Sequence, residues 1–218
     1  IFSNTLMIGV PLVQLAYGEA ALVNLFTLIS MHALVLLTLA TIVLELLVAR
    51  EEAAAGHAAP RHIAATVAQA VKNAVLHPVP LPIIAGFLYA LTGLGLHPVV
   101  ERPLKLLGDA FGPVALVLVG VTLAQTAIGR HLKDALVISF LKTVVHPLLM
   151  WAAGWALGLS GLPLKVMVVA AALPVGANVF LFSQRYHKEE DLVTASVAVS
   201  TVMAVGTISV VMGLLAFV

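Results

Sequence analysis

The sequence predicts an all-α membrane protein, a helical bundle of about seven spans that includes two broken helices. Three observations predict it. The chain is 61% hydrophobic and 10% charged, against roughly 25% charged residues in soluble domains, and its mean hydropathy is +1.12. Apolar stretches near the roughly 20 residues that cross a bilayer core recur along its length. Two of them, NTLMIGVPL at 4–12 and ALPVGANVF at 172–180, hold Pro, Gly and Asn in otherwise apolar surroundings.

Hydropathy places the spans at about 2–17, 20–48, 79–96, 103–127, 132–158, 163–185 and 191–217. The first is interrupted around Gly9 and Pro11, the sixth around Pro174 and Gly176. The second is long enough to tilt or protrude. The last opens on Glu189, Glu190 and Asp191, which suit a helix N-terminus. Residues 49–77 are the one sizeable polar stretch. Within it Ile63, Val67, Val71 and Val75 recur at four-residue spacing. That spacing predicts an amphipathic helix on the membrane surface, with Arg61 and Lys72 at the headgroups. A flexible linker is the alternative.

Basic residues orient the bundle. One set of alternate loops holds Arg50, Arg61, Lys72, Arg130, Lys133, Arg185 and Lys188, and the other holds Arg102, Lys105 and Lys165. The richer side is cytoplasmic by the positive-inside tendency. The first broken span then runs outward and the second inward. Each leads into a tyrosine turn, Tyr17-Gly18 or Tyr186-His187, and then a long apolar helix. Similar units of opposite direction make an inverted repeat. The expected organisation is 1–48, the last two spans of a first repeat; 49–77, a cytoplasmic linker; and 78–218, a complete second five-span repeat. An intact first repeat needs three more spans. The start at Ile1, with no basic n-region ahead of it, also suggests a fragment without a signal peptide.

Composition excludes several classes. There is no cysteine and the net charge is +1, so disulfides, thiolate catalysis and a basic nucleic-acid face are not expected. No H-E-x-x-H, G-x-S-x-G or Gly-rich phosphate loop occurs. No enzyme activity, metal or cofactor is expected. A passive receptor or scaffold subunit gains nothing from interrupted helices. An ion channel would share them.

The chain resembles the auxin efflux carrier family in its bacterial branch. The likeness rests on NTLMIGVPL with AYGEAA, HPVPLPIIAG, LVLVGVTLA, LKTVVHPLLMW and, above all, AALPVGANVFLFSQRYHKEEDLVTASVAVST at 171–201. It implies a ten-span carrier with two five-span inverted repeats, of which this chain matches spans four to ten. It implies unwound fourth and ninth spans that cross near the midplane, and transport of small organic anions such as carboxylates. It also implies alternating access in a bacterial cytoplasmic membrane, and it allows a homodimer.

A crossing of two interrupted helices suits an anion, because the positive ends of the second halves meet near one point. Asn4, Asn178 and Gly176 are the candidate substrate-binding residues. The two amides add donors without adding charge, and a cap to nearby backbone is the other reading. Gly9, Pro11 and Pro174 are the candidate helix-break residues. Lys142 lies well inside its span, with Ser139 and His146 on its face and Pro147 freeing a carbonyl beside it. Lys142 and His146 are candidates for balancing substrate charge or coupling to protons. The alternatives are a lysine snorkelling to the headgroups and a hydrogen-bonded core histidine. Asp109 is expected at the interface, His32 at a helix–helix bond, and Gln14, Gln125 and Gln184 along a cavity or between helices. Gly112, Gly120 and Gly154 are expected at close helix contacts.

Overall fold

Among the described residues the chain is helical throughout, apart from turns and one isolated antiparallel bridge between Ser3 and Val175. The computed structural model describes residues 2–32, 35–36, 39–40, 42–44, 47, 68, 72, 80–125, 131–186 and 188–217. Nearly all of the expected 49–77 linker lies outside these residues. The helices whose bounds fall within these residues are α1 (Thr5–Tyr17), α2 (Glu19–His32), α3 (Pro80–Leu91), α4 (Pro98–Gln125), α5 (Leu132–Ala156), α6 (Gly161–Ala172), α7 (Ala177–Tyr186) and α8 (Glu190–Leu215). The chain divides into two compact units, Ile1–Leu25 with Pro98–Val218, and Phe26–His97.

In the smaller unit, α3 ends in a side-chain-closed turn. Thr92 Oγ1 donates to the Tyr89 carbonyl at 2.6 Å and accepts from the Leu94 N–H at 3.3 Å. In α2, the Ser30 hydroxyl donates one turn back to the Phe26 carbonyl at 2.9 Å.

The larger unit is built around α6. Leu164, Val166 and the run Val168–Leu173 are all buried. A helix apolar on every side belongs in a core, and α6 packs against α5 and α8. The contact with α5 is close. A Cβ on Gly154 would lie 2.5 Å from Leu164 Cδ1 and 2.6 Å from Met167 Cε. Gly120, expected to serve the same way, has nothing within 4 Å of that position. Helices α5 and α8 meet through Ala135, Ala195 and Val199, with Met203 alongside, small side chains allowing close backbone approach.

Among the described residues, Leu132–Ala156 and Glu190–Leu215 are long and apolar enough to cross a membrane, and Thr5–Tyr17 and Gly161–Ala172 are shorter apolar helices. The fourth expected span begins earlier than its apolar core, at Pro98, so that α4 carries Glu101, Arg102, Lys105 and an exposed Asp109 in its first half. The sixth expected span is two helices, α6 and α7, separated by Leu173–Gly176. Gly18, at φ 78°, ends α1 in a conformation that favours glycine.

A π-helical turn runs over Thr5–Gly9 in α1 and another over Leu141–Val145 in α5. Each ends two residues before a proline. The Val10 N–H donates to the Thr5 carbonyl, and the His146 N–H to that of Leu141. Pro11 and Pro147 cannot donate to the carbonyl four residues back, and their rings crowd it. Widening the preceding turn relieves the clash while the helix continues.

Candidate functional site

The two interrupted segments meet. Ser3 and Val175 face each other as an antiparallel pair. The Asn4 N–H donates to the Pro174 carbonyl at 2.9 Å, and the Gly176 N–H to the Phe2 carbonyl at 2.8 Å. Local sequence explains the extended backbone on one side. Leu173 precedes a proline, which disfavours the helical region, and it adopts φ −59°, ψ 150°. Gly176 permits the approach, since a Cβ there would lie 2.8 Å from the Ser3 carbonyl oxygen.

The first segment is not interrupted at the expected place, and its helix runs on from Thr5 to Tyr17. The non-helical residues are Ser3 and Asn4, whereas Gly9 and Pro11 lie inside α1 at the join of its π and α turns. The π turn absorbs Pro11 without unwinding the chain. Gly9 instead abuts Leu173, where a Cβ would stand 2.8 Å from Cδ1. Pro174 does lie in the second interruption, with its carbonyl engaged by Asn4.

Helices α1 and α7 both start beside the bridge, and of the N–H groups there Thr5 donates to the Ser3 carbonyl at 2.8 Å and Val179 to that of Gly176 at 3.0 Å. Asn4 is buried, yet it caps no backbone group with its side chain. Asn178 is half-buried in the first turn of α7. Neither side-chain amide has a hydrogen-bond partner among the described residues.

Behind the bridge, α6 ends with carbonyls that an uninterrupted helix would have paired. Lys142 reaches one of them. Its Nζ donates to the Ala171 carbonyl at 2.6 Å, and Lys142 is 0% exposed. The snorkelling alternative is overturned by that burial. His146 Nδ1 lies 3.3 Å from Lys142 Nζ and 3.1 Å from the same carbonyl oxygen. Lys142 is the one charged side chain among the buried described residues. Ser139 and Thr143 line the same helix, Ser139 donating to the Ser196 carbonyl at 3.4 Å and Thr143 to the Ser139 carbonyl at 2.9 Å.

The broken backbone has a further partner that sequence reading did not single out. The Val175 N–H donates to Ser200 Oγ at 3.0 Å, and Ser200 is fully buried in α8. The signal was present as a row of small polar residues, Ser196, Ser200 and Thr201, inside an apolar helix. Also unforeseen is an aromatic stack beside the crossing. Phe2 and Phe182 have ring centroids 6.0 Å apart, and Phe182 and Tyr186 6.4 Å apart. It ties the start of the chain to α7.

A profile of membrane transport proteins matches residues 1–212. The chain belongs to that family. This membrane transport protein is 31% identical over 140 residues to a proposed malonate transporter of Rhizobium meliloti, covering 63% of this chain and 43% of the relative. It is 22% identical over 244 residues to auxin efflux carrier component 8 of Arabidopsis thaliana, covering 95% of this chain and 66% of the relative. An uncharacterized transporter of Methanothermobacter thermautotrophicus is 25% identical over 134 residues, covering 62% of this chain and 44% of that one. The resemblance to auxin efflux carriers is borne out. The matches span less than half of two of these relatives and about two thirds of the other. The family is one of integral membrane transporters and not of enzymes.

The other expected polar positions of the membrane transport protein lie apart from this cluster in character. Gln184 is exposed and Gln14 half-buried. His32 is half-buried in α2 and has a partner. Among the described residues no group of three or more His, Cys, Asp or Glu side chains could hold a metal.

Proposed function

We propose that this protein is part of a secondary carrier for small organic anions such as carboxylates, working by alternating access around the crossed, interrupted helices. The observation that carries the reading is the backbone pairing of Ser3–Asn4 with Pro174–Gly176. It brings two helix N-termini together at a point where a carboxylate would meet free N–H groups. Asn4 and Asn178 would supply amide donors, and Gly176 would let the backbones approach the ligand. Lys142 and His146 would balance the substrate's charge behind the site, since no acidic side chain is buried among the described residues. Malonate enters as a candidate through the proposed malonate transporter relative.

In this reading residues 1–48 close a first inverted repeat, 49–77 link the halves in the cytoplasm, and 78–218 form a complete second repeat of five spans, seven spans being visible in all. The setting is a bacterial cytoplasmic membrane, and the working form includes a homodimer. The test is calorimetric titration of the intact, purified protein with malonate, other dicarboxylates and monocarboxylates. Saturable binding of one class supports the reading, and no binding of any removes it. Counterflow in proteoliposomes separates the alternatives. Exchange accelerated by substrate on the opposite side indicates a carrier. Flux linear in concentration indicates a channel, and a scaffold gives neither.

A further inference from the structure

We infer that a groove between α5 and α8 holds one acyl chain of an anionic phospholipid, whose headgroup meets Lys165. The groove is a cavity of about 400 Å³, walled by α5 from Thr143 to Trp151 and by α8 from Met203 to Leu214, with Val168 of α6 at its floor. Its α8 residues recur at three- and four-residue steps and so form one face of the helix. Helices α5 and α8 pack closely over their first halves, through Ala135, Ala195 and Val199. Beyond the π turn of α5 the groove opens between them.

Shape and chemistry select the occupant. From Met203 to Leu214 the groove is about 16 Å long at 1.5 Å per residue, close to one leaflet's share, about 15 Å, of the hydrocarbon core. Its volume over that length leaves a bore of about 25 Å², too narrow for a helix about 10–12 Å across. Its two hydroxyls are engaged within their own helices, Thr143 donating to the Ser139 carbonyl at 2.9 Å and Thr207 to that of Met203 at 3.2 Å. An apolar chain therefore displaces no hydrogen bond of theirs. Gly206 leaves the space unfilled from α8, since a Cβ there has nothing within 4 Å.

Charge marks one end. Helix α6 runs back along α5, with Leu164 close to Gly154 and Ala171 bonded to Lys142. Lys165, one turn before Val168, thus lies past the Trp151 end of the groove, half-buried. Helical side chains lean toward the N-terminus, which carries its ammonium toward the membrane surface. The acids of α5 and α8, Asp134, Glu190 and Asp191, stand at the opposite ends of their helices, and α6 has none. A phosphate at Lys165, with its chain running back past Trp151 to Thr143, satisfies both the charge and the groove.

The inference needs only the membrane setting and stands apart from the carrier reading. Trp151 lines the groove, and Trp155, 78% exposed, is the chain's other tryptophan. A Trp155→Phe protein therefore reports from the groove by its fluorescence. It is placed in phosphatidylcholine vesicles holding a small fraction of phosphatidylglycerol or of phosphatidylcholine brominated on the acyl chains, and bromine quenches on contact. Brominated phosphatidylglycerol should quench Trp151 at about a fivefold lower mole fraction, the preference one lysine gives an anionic headgroup. Lys165→Gln should erase that preference and Lys165→Arg should keep it. Gly206→Leu, which fills the groove, should erase it while unfolding near the wild-type temperature. Equal quenching by the two lipids, or a preference that survives Lys165→Gln or Gly206→Leu, overturns the inference. A Trp151 that neither lipid quenches also overturns it, and shows the groove covered by protein.

Discussion

A Cβ on Gly176 would lie 2.8 Å from the carbonyl oxygen of Ser3 and 3.0 Å from its carbonyl carbon. Those atoms are backbone, held by the hydrogen bonds of the crossing, and cannot swing aside. Gly176→Ala is therefore expected to lower stability by about 1–3 kcal/mol, as overpacking does. Gly9→Ala meets a different neighbour at the same distance, the end of the Leu173 side chain. A rotamer shift there costs less, and the helix gains roughly 0.8–1 kcal/mol from replacing glycine. Thermal unfolding in detergent should show Gly9→Ala close to wild type and Gly176→Ala well below it. Equal losses would contradict the rigid crossing.

Ser200 and Ser196 sit one turn apart on α8 and should behave differently. Ser200 Oγ accepts from the Val175 N–H, across 25 residues of chain. Its removal leaves a buried donor without an acceptor, at a cost of about 1–3 kcal/mol. The Ser196 hydroxyl donates only within its own helix, to the Leu192 carbonyl at 2.7 Å. Ser196→Ala should change stability by less than about 0.5 kcal/mol. Paired unfolding curves for the two variants check this, and a Ser200→Ala protein as stable as Ser196→Ala would count against the Val175 bond.

The amides of Asn4 and Asn178 have no hydrogen-bond partner among the described residues. Their removal should spare the fold. Loss of one hydrogen bond to a charged group should weaken carboxylate binding about 10- to 150-fold in Asn178→Ala. Asn178→Asp should bind more weakly still, because it opposes the substrate with like charge. Calorimetry read beside unfolding temperature is the check. Unchanged affinity in both variants would take Asn178 out of the site and leave only backbone donors.

The bridge can be trapped directly. Ser3 and Val175 flank hydrogen bonds made by their neighbours, so they form the close, non-hydrogen-bonded kind of pair, with Cα atoms about 4.5 Å apart. That lies within the reach of a disulfide, and the chain has no cysteine to interfere. A Ser3→Cys, Val175→Cys double variant should cross-link under mild oxidation, seen as a linked peptide by mass spectrometry. Ser3→Cys with Leu15→Cys, whose second site is exposed, should not.

The apolar spans, the two interruptions and the candidate residues were legible in the sequence because each rests on local chemistry. Runs of Leu, Val and Ala mark α5 and α8, and Pro174 with Gly176 marks the gap between α6 and α7. Two readings needed correction. Gly9 and Pro11 look like a break, yet a π turn accommodates the proline and the helix runs on from Thr5 to Tyr17. Gly120 looks like a packing glycine, yet nothing approaches it.

By itself, then, the sequence determined an all-helical membrane protein with interrupted segments near both ends, since hydropathy and backbone propensity act within a turn or two. Tertiary structure alone decided what fills the interruptions. Lys142 reaches Ala171 across 29 residues and Ser200 receives Val175 across 25. Such partners depend on which helix faces lie together, and burial leaves each freed polar group only the nearest donor or acceptor that packing supplies.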